Sequence, residues 1–178
     1  MSRPIAPEFE LLESQKNAFL ATLDSWSSGD LRVRPTPGVW SALDVLDHIA
    51  KTQAEAFAGM QENHDQPIRV SLPDRLRGTF IIQFMRTPLR VRVPASVAAA
   101  VLPDHSANFI ALKRDWNHSQ SQLKQWLSNL KSDPHSLTGF QHPVSGWMTV
   151  SLGLRFLAAH VRHHRYQLGR IKRQLAQN

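Results

Sequence analysis

The chain has 178 residues, 42% of them apolar and 20% charged, with a formal net charge of +7. That length and balance fit one globular domain, 1–178, with a sizeable core, and exclude a disordered chain. The sequence has no cysteine and no run of 18 apolar residues, which excludes disulfides, thiolate metal ligands, a Cys nucleophile and a membrane-spanning helix.

The first residues, MSRPIAPEFELLESQ, hold no apolar stretch of the kind a secretory signal needs, so the expected location is cytoplasmic. Residues 7–27 place Phe9, Leu12, Phe19, Leu20 and Leu23 near helical spacing, and Ser27-Ser28-Gly29 ends that helix. Pro35-Thr36-Pro37-Gly38 is a loop. Ser41 is the expected N-cap of a second helix, with Asp44 three residues on near the positive helix end. Its apolar stripe runs through Val45, Leu46, Ile49, Ala50, Phe57 and Met60 and stops at 63–67. The stretch 67–104 contains five prolines (67, 73, 88, 94 and 103), too many for one continuous helix. It reads as a long irregular crossover with a short helix near 74–86 and an extended piece at 89–93. A third helix covers 105–130, with Phe109, Leu112, Trp116, Leu123, Trp126, Leu127 and Leu130 inward. Residues 132–147 read as a loop, and a fourth helix covers 148–175, with Leu154, Leu157, Val161, Leu168, Ile171 and Leu175 inward. Four amphipathic helices with a Pro-rich crossover between the second and third predict an all-α four-helix bundle. Bundles of this kind hold metal and ligand sites between facing helices.

The charge is uneven. Residues 1–68 carry five basic and ten acidic side chains, whereas 69–92 carry six arginines against Asp74, and 155–173 carry six basic residues and no acid. Such blocks suit nucleic acid, anionic lipid or an anionic substrate, or they pack beside the acidic N-terminal part in the fold or in a dimer. Neither block interleaves aromatics for base stacking, so no specific nucleic-acid partner and no membrane are expected.

Nine histidines occur, three of them in Ala-Ala-His160-Val-Arg-His163-His164. On a helix, His160 and His164 lie one turn apart on one face, shared with Leu157, Val161 and Leu168. Two imidazoles on a core face need partners, and a divalent metal would supply them and select neutral rings. His48, beside Val45 and Ile49 on the inward edge of the second helix, is the natural third ligand. His163 lies about 100° round from His164 and is expected to point outward or to support the ligands. His64, His105, His118, His135 and His142 fall in loops, near helix ends or on polar faces.

Two stretches carry a family resemblance. One is Val39-Trp40-Ser41-Ala42-Leu43-Asp44-Val45-Leu46-Asp47-His48-Ile49-Ala50. The other runs from His142-Pro143-Val144-Ser145-Gly146-Trp147 through His160 to His164-Arg165-Tyr166-Gln167-Leu168. Together with the Pro-rich middle, they make the chain resemble the DinB/YfiT-like superfamily over nearly its whole length. The resemblance implies an up-down-down-up bundle, often a homodimer, with a divalent metal, zinc or nickel, on three histidines. Matched position by position, these are His48, His160 and His164. It also implies either a metal-dependent hydrolase or a thiol-dependent transferase, acting on a small molecule and in some members using a low-molecular-weight thiol.

Three neutral ligands leave open metal positions, which suits catalysis better than a closed structural site. Asp44, one turn before His48, is a candidate to orient its N–H or to act as base, with helix N-terminal charge as the alternative. Gln167 is placed to bond a ligand, a water or the first helix. Arg162 and Arg165 either receive an acidic substrate or line a solvated face, and Trp40 and Trp147 either wall the pocket or anchor the core. No nucleophile elbow, phosphate loop, dinucleotide fingerprint or His-Glu-x-x-His motif is present. The reading from another class is a non-catalytic metal-binding or stress-response interaction module.

Overall fold

The structure, a computed structural model, describes residues 7–89, 100–106 and 108–177. Its helices are α1 (Pro7–Asp24), α2 (Ser28–Arg32), α3 (Ala42–Asn63), α4 (Leu72–Met85), α5 (Phe109–Asn129) and α6 (Val150–Leu175). A two-stranded antiparallel sheet of β1 (Thr138–His142) and β2 (Gly146–Thr149) precedes α6. The expected first helix stops at Asp24. Ser27 then caps a separate short helix, its side chain accepting from the Asp30 N–H. The third bundle helix begins at Phe109, where Asn108 caps it, and the last begins at Val150, capped by Thr149. The 74–86 expectation corresponds to α4, whereas the extended piece at 89–93 falls almost wholly outside the described residues.

Pairwise contacts fix the course of the bundle. Glu8 meets Ser151 and Gln15 meets Arg165, so α1 and α6 run parallel. Met60 reaches Gly153 while His48 reaches His160, so α3 runs antiparallel to α6. Gln53 bonds Gln120 and Phe57 packs on Trp126, so α3 and α5 run parallel. Lys16 bonds Asn117 and Asp24 pairs with Lys113, so α1 opposes α5. The result is an up-down-down-up four-helix bundle. Two parallel neighbours in succession, α3 and α5, require the long crossover that carries α4.

The core follows the sequence stripes. Phe9, Leu12 and Phe19 of α1, Leu46 and Met60 of α3, Trp116 of α5 and Leu154 of α6 are essentially sealed from solvent. Each such side chain stabilises the fold by about 1.5–3 kcal/mol. One buried polar chain crosses this core: Trp116 Nε1 donates to Gln53 Oε1 at 2.9 Å, and Gln53 Nε2 donates to Gln120 Oε1 at 3.0 Å.

Residues 132–147 are not simply a loop. They contain β1 and the start of β2, paired Gln141 with Trp147 and His142 with Gly146, with an irregularity between Thr138 and Gln141. Gly146 sits at φ +80°, a conformation that favours glycine, and turns the chain between the strands. Phe140 of β1 packs on α3 at Gly59, where an added Cβ would lie 2.7 Å from the Phe140 Cβ. Among the described residues no helix is long and apolar enough to cross a membrane.

Candidate metal centre

His48 owes its position to the start of α3. Ser41 Oγ accepts from the Asp44 N–H at 3.1 Å and Asp44 Oδ2 accepts from the Ser41 N–H at 2.9 Å, a capping box that fixes where the helix begins. His48 then falls on the buried face opposite α6, where His160 and His164 stand one turn apart. The Nε2 atoms of His48 and His160 are 3.3 Å apart, and those of His160 and His164 are 3.0 Å apart. One ligand atom from each of the three residues lies within 4.8 Å of the others. All three side chains are buried. The three ligand residues read from the sequence are therefore brought together.

The outer ring nitrogens set the tautomers. His48 Nδ1–H donates to the Val101 carbonyl at 2.8 Å, and His164 Nδ1–H donates to Gln167 Oε1 at 2.7 Å. Both rings therefore aim an Nε2 lone pair at His160. A proton on His160 Nε2 can point well at only one of them, so the protein alone leaves lone pairs facing each other. A cation satisfies all three at once. Tetrahedral zinc, at about 2.0–2.1 Å from each nitrogen, spaces its ligands by about 3.3–3.4 Å, close to the separations here. Burial is the main force lowering all three pKa values, and the neighbouring rings add to it at His160 and His164. The rings are thus neutral near pH 7, as ligation requires.

Aromatic packing braces the trio. Phe156 stacks on His160, centroids 5.6 Å apart with planes 18° apart. His142 presses its edge on Phe156 at 4.7 Å, and Trp40 lies 4.9 Å from His48. Burial lowers the His142 pKa to about 4, and its Nδ1 accepts from the Val144 and Ser145 N–H groups. Trp40 walls the cavity above the histidines, whereas Trp147 sits on β2 away from it. That cavity measures about 470 Å³ and is lined by all three histidines, His163, Gln167 and Arg170, with apolar walls.

Several predicted roles take a different form. His163 does not point outward: it is buried, and its Nδ1–H donates to the Thr87 carbonyl at 3.3 Å, because the end of α4 covers that side of α6. Asp44 does not meet His48. Its carboxylate takes Arg34 at 3.1 Å and His105 at 2.9 Å as well as the cap. Burial would raise its pKa, but the bonds from Arg34, His105 and Ser41 outweigh that and hold it at about 2. Asp47 turns to Lys51 and the Asp104 N–H. Gln167 bonds a proposed ligand residue and not α1. Arg162 and Arg165 are exposed and pair with Tyr166 and Gln15, while Arg170 lines the cavity. The sequence reading missed Val101, Phe156 and Arg170. Arg170 was within reach, being seven residues after His163 and so on the same side of the helix.

The DinB superfamily matches residues 11–168, and the chain belongs to that family. The uncharacterized protein YuaE of Bacillus subtilis (strain 168) is 25% identical over 167 residues, spanning 87% of this chain and 94% of its own. The solved structure of YfiT from Bacillus subtilis superposes with a TM-score of 0.59 at 14% identity, covering 96% of this chain and 86% of that one. YfiT is described as a probable metal-dependent hydrolase with an unusual four-helix bundle topology. At that identity the likeness shows the shared fold.

Proposed function

We propose that this DinB-superfamily protein holds one divalent cation, zinc or nickel, on His48, His160 and His164 and uses it to hydrolyse a small molecule or to transfer a group to a low-molecular-weight thiol. The observation that carries the reading is the convergence of three buried Nε2 atoms whose rings are protonated, at His48 and His164, on the far nitrogen. A bound cation would supply Lewis acidity, polarising an oxygen or acidifying a water or thiol.

The chain's own residues do the rest. Val101 and Gln167 lock two ring orientations, the supporting layer on which metal affinity depends. Phe156 backs His160, so the trio cannot spread toward the hairpin. Trp40, Met85 and Leu102 give the cavity apolar walls that limit water around a bound substrate. Asp44 and Asp47 are tied to other groups, so neither closes the ligand set from its own helix. An accessible cavity over an incomplete ligand set favours catalysis over the non-catalytic module.

The test is elemental analysis of tag-free protein, followed by ester, amide and thiol-transfer substrate panels with and without chelation. Turnover that disappears on chelation and returns with zinc or nickel is the expected result. Metal-independent turnover, or stoichiometric metal with every panel inert, would contradict the catalytic reading.

A further inference from the structure

One face of α3 is given over to polar side chains. Asp44, Asp47, His48 and Lys51 stand at i, i+3, i+4 and i+7, which keeps all four within about 100° of the helix circumference. Asp44, Asp47 and His48 are buried. Each of the four holds one group of the segment that ends the crossover, residues 101–105. His48 Nδ1–H donates to the Val101 carbonyl at 2.8 Å, and Lys51 Nζ donates to the Leu102 carbonyl at 3.0 Å. Asp47 Oδ2 accepts from the Asp104 N–H, and Asp44 Oδ1 accepts from His105 Nδ1–H at 2.9 Å. Asp47 Oδ2 also accepts from Lys51 Nζ at 2.9 Å, so one carboxylate oxygen serves two of the four contacts.

Residues 102–104 belong to no helix or strand, so their main-chain groups have no ladder to join and need partners from elsewhere. The α3 side chains supply them at Leu102 and Asp104. The same segment puts Val101 and Leu102 in the cavity wall above the histidines. We infer that Asp47 is a positioning residue for the proposed metal centre. With Lys51 it pins residues 102–104 on α3, and so fixes the Val101 carbonyl that keeps the His48 proton on Nδ1. Its carboxylate is spent on Lys51 and the Asp104 N–H, so its effect on His48 passes through the segment and not through the metal. The inference rests on the proposed function for the metal, and on the α3 contacts alone for control of the His48 ring.

Zinc titration against a chromophoric chelator and proton–nitrogen spectra of the histidine rings test it. Two ring N–H signals are followed in zinc-saturated protein: that of His48, bonded to Val101, and that of His164, bonded to Gln167, as the internal control. Asp47→Ala should weaken zinc about tenfold and speed solvent exchange of the His48 N–H by about as much, with the His164 signal unchanged. Asp47→Asn keeps an acceptor for the Asp104 N–H and should hold both readings within about threefold of the parent. Leu127→Ala removes buried packing on α5, which carries none of these contacts, and should lower the melting temperature without moving either reading. If Asp47→Ala fails to fold, Lys51→Met, which removes the donor to Leu102 at a partly exposed position, should shift both readings the same way by about threefold. Parent-like zinc affinity in Asp47→Ala, an Asp47→Asn as impaired as Asp47→Ala, or an equal zinc loss in Leu127→Ala would overturn the inference. A parent that takes up no zinc refutes the metal reading alone; the His48 signal of the metal-free protein then decides the control of the ring by the same comparison.

Discussion

Gln167 reaches the proposed ligand set without joining it. Its Oε1 lies 2.7 Å from His164 Nδ1 and keeps the ring proton there, so that Nε2 presents a lone pair. In Gln167→Ala that acceptor is gone. The His164 N–H loses a bond that contributes about 0.5–1.5 kcal/mol, and the ring is free to hold its proton on Nε2, from which it must move before the nitrogen can ligate. The two effects together amount to about 1.4–2.7 kcal/mol, a 10–100-fold weakening of zinc affinity. Gln167→Glu keeps the acceptor and adds a negative charge, so it should bind zinc at least as tightly as the parent. Competition against a chromophoric chelator measures both, with circular dichroism to confirm that the helices persist. An affinity of Gln167→Ala within twofold of the parent would refute the assignment of the His164 proton, and with it the role given to Gln167.

Three further outcomes are expected. Asp44, held at about 2 against the ordinary 3.8, stabilises the fold above pH 3.8, and that share, about 2 kcal/mol, is lost as pH falls through about 2; urea melts of Asp44→Asn should lack this acid limb, and an unchanged limb would count against the Arg34–His105 network. Gly59→Ala should cost about 1–3 kcal/mol, because the new Cβ would meet Phe140 Cβ at 2.7 Å, an atom too near the backbone to swing aside; a thermal melt within a degree of the parent would show that β1 is not seated on α3 as described. Chelated protein should keep its helical circular dichroism at 25 °C, because the apolar core is continuous without the histidines, unlike that of a zinc finger; loss of helicity would make the metal structural.

Much of the bundle was legible because its helices bury apolar residues at the helical period. Ser41 with Asp44 announced the start of α3, and that start determines which way His48 points. The i,i+4 pair of His160 and His164 made a shared face readable from spacing alone. What stayed hidden depends on the crossover and the hairpin. His163 is covered by the end of α4, a contact 76 residues away in sequence. The Val101 carbonyl that orients His48 comes from the Pro-rich stretch, beyond both the short helix and the extended piece that the sequence pattern offers there. The strands of the hairpin are five and four residues long, and Pro143 and Gly146 read as loop punctuation before they read as a turn. Asp44 was drawn toward Arg34 and His105, partners that lie on other segments and that no helical spacing brings forward.

The most direct measurement is the metal content of tag-free protein after reconstitution with zinc or nickel and removal of the excess, compared across single alanine variants. The expected result is about one divalent ion per chain in the parent and in His163→Ala, and loss of stoichiometric metal in His48→Ala, His160→Ala and His164→Ala. Full retention in any of those three variants, or a parent that takes up no metal at all, would contradict the three-histidine centre.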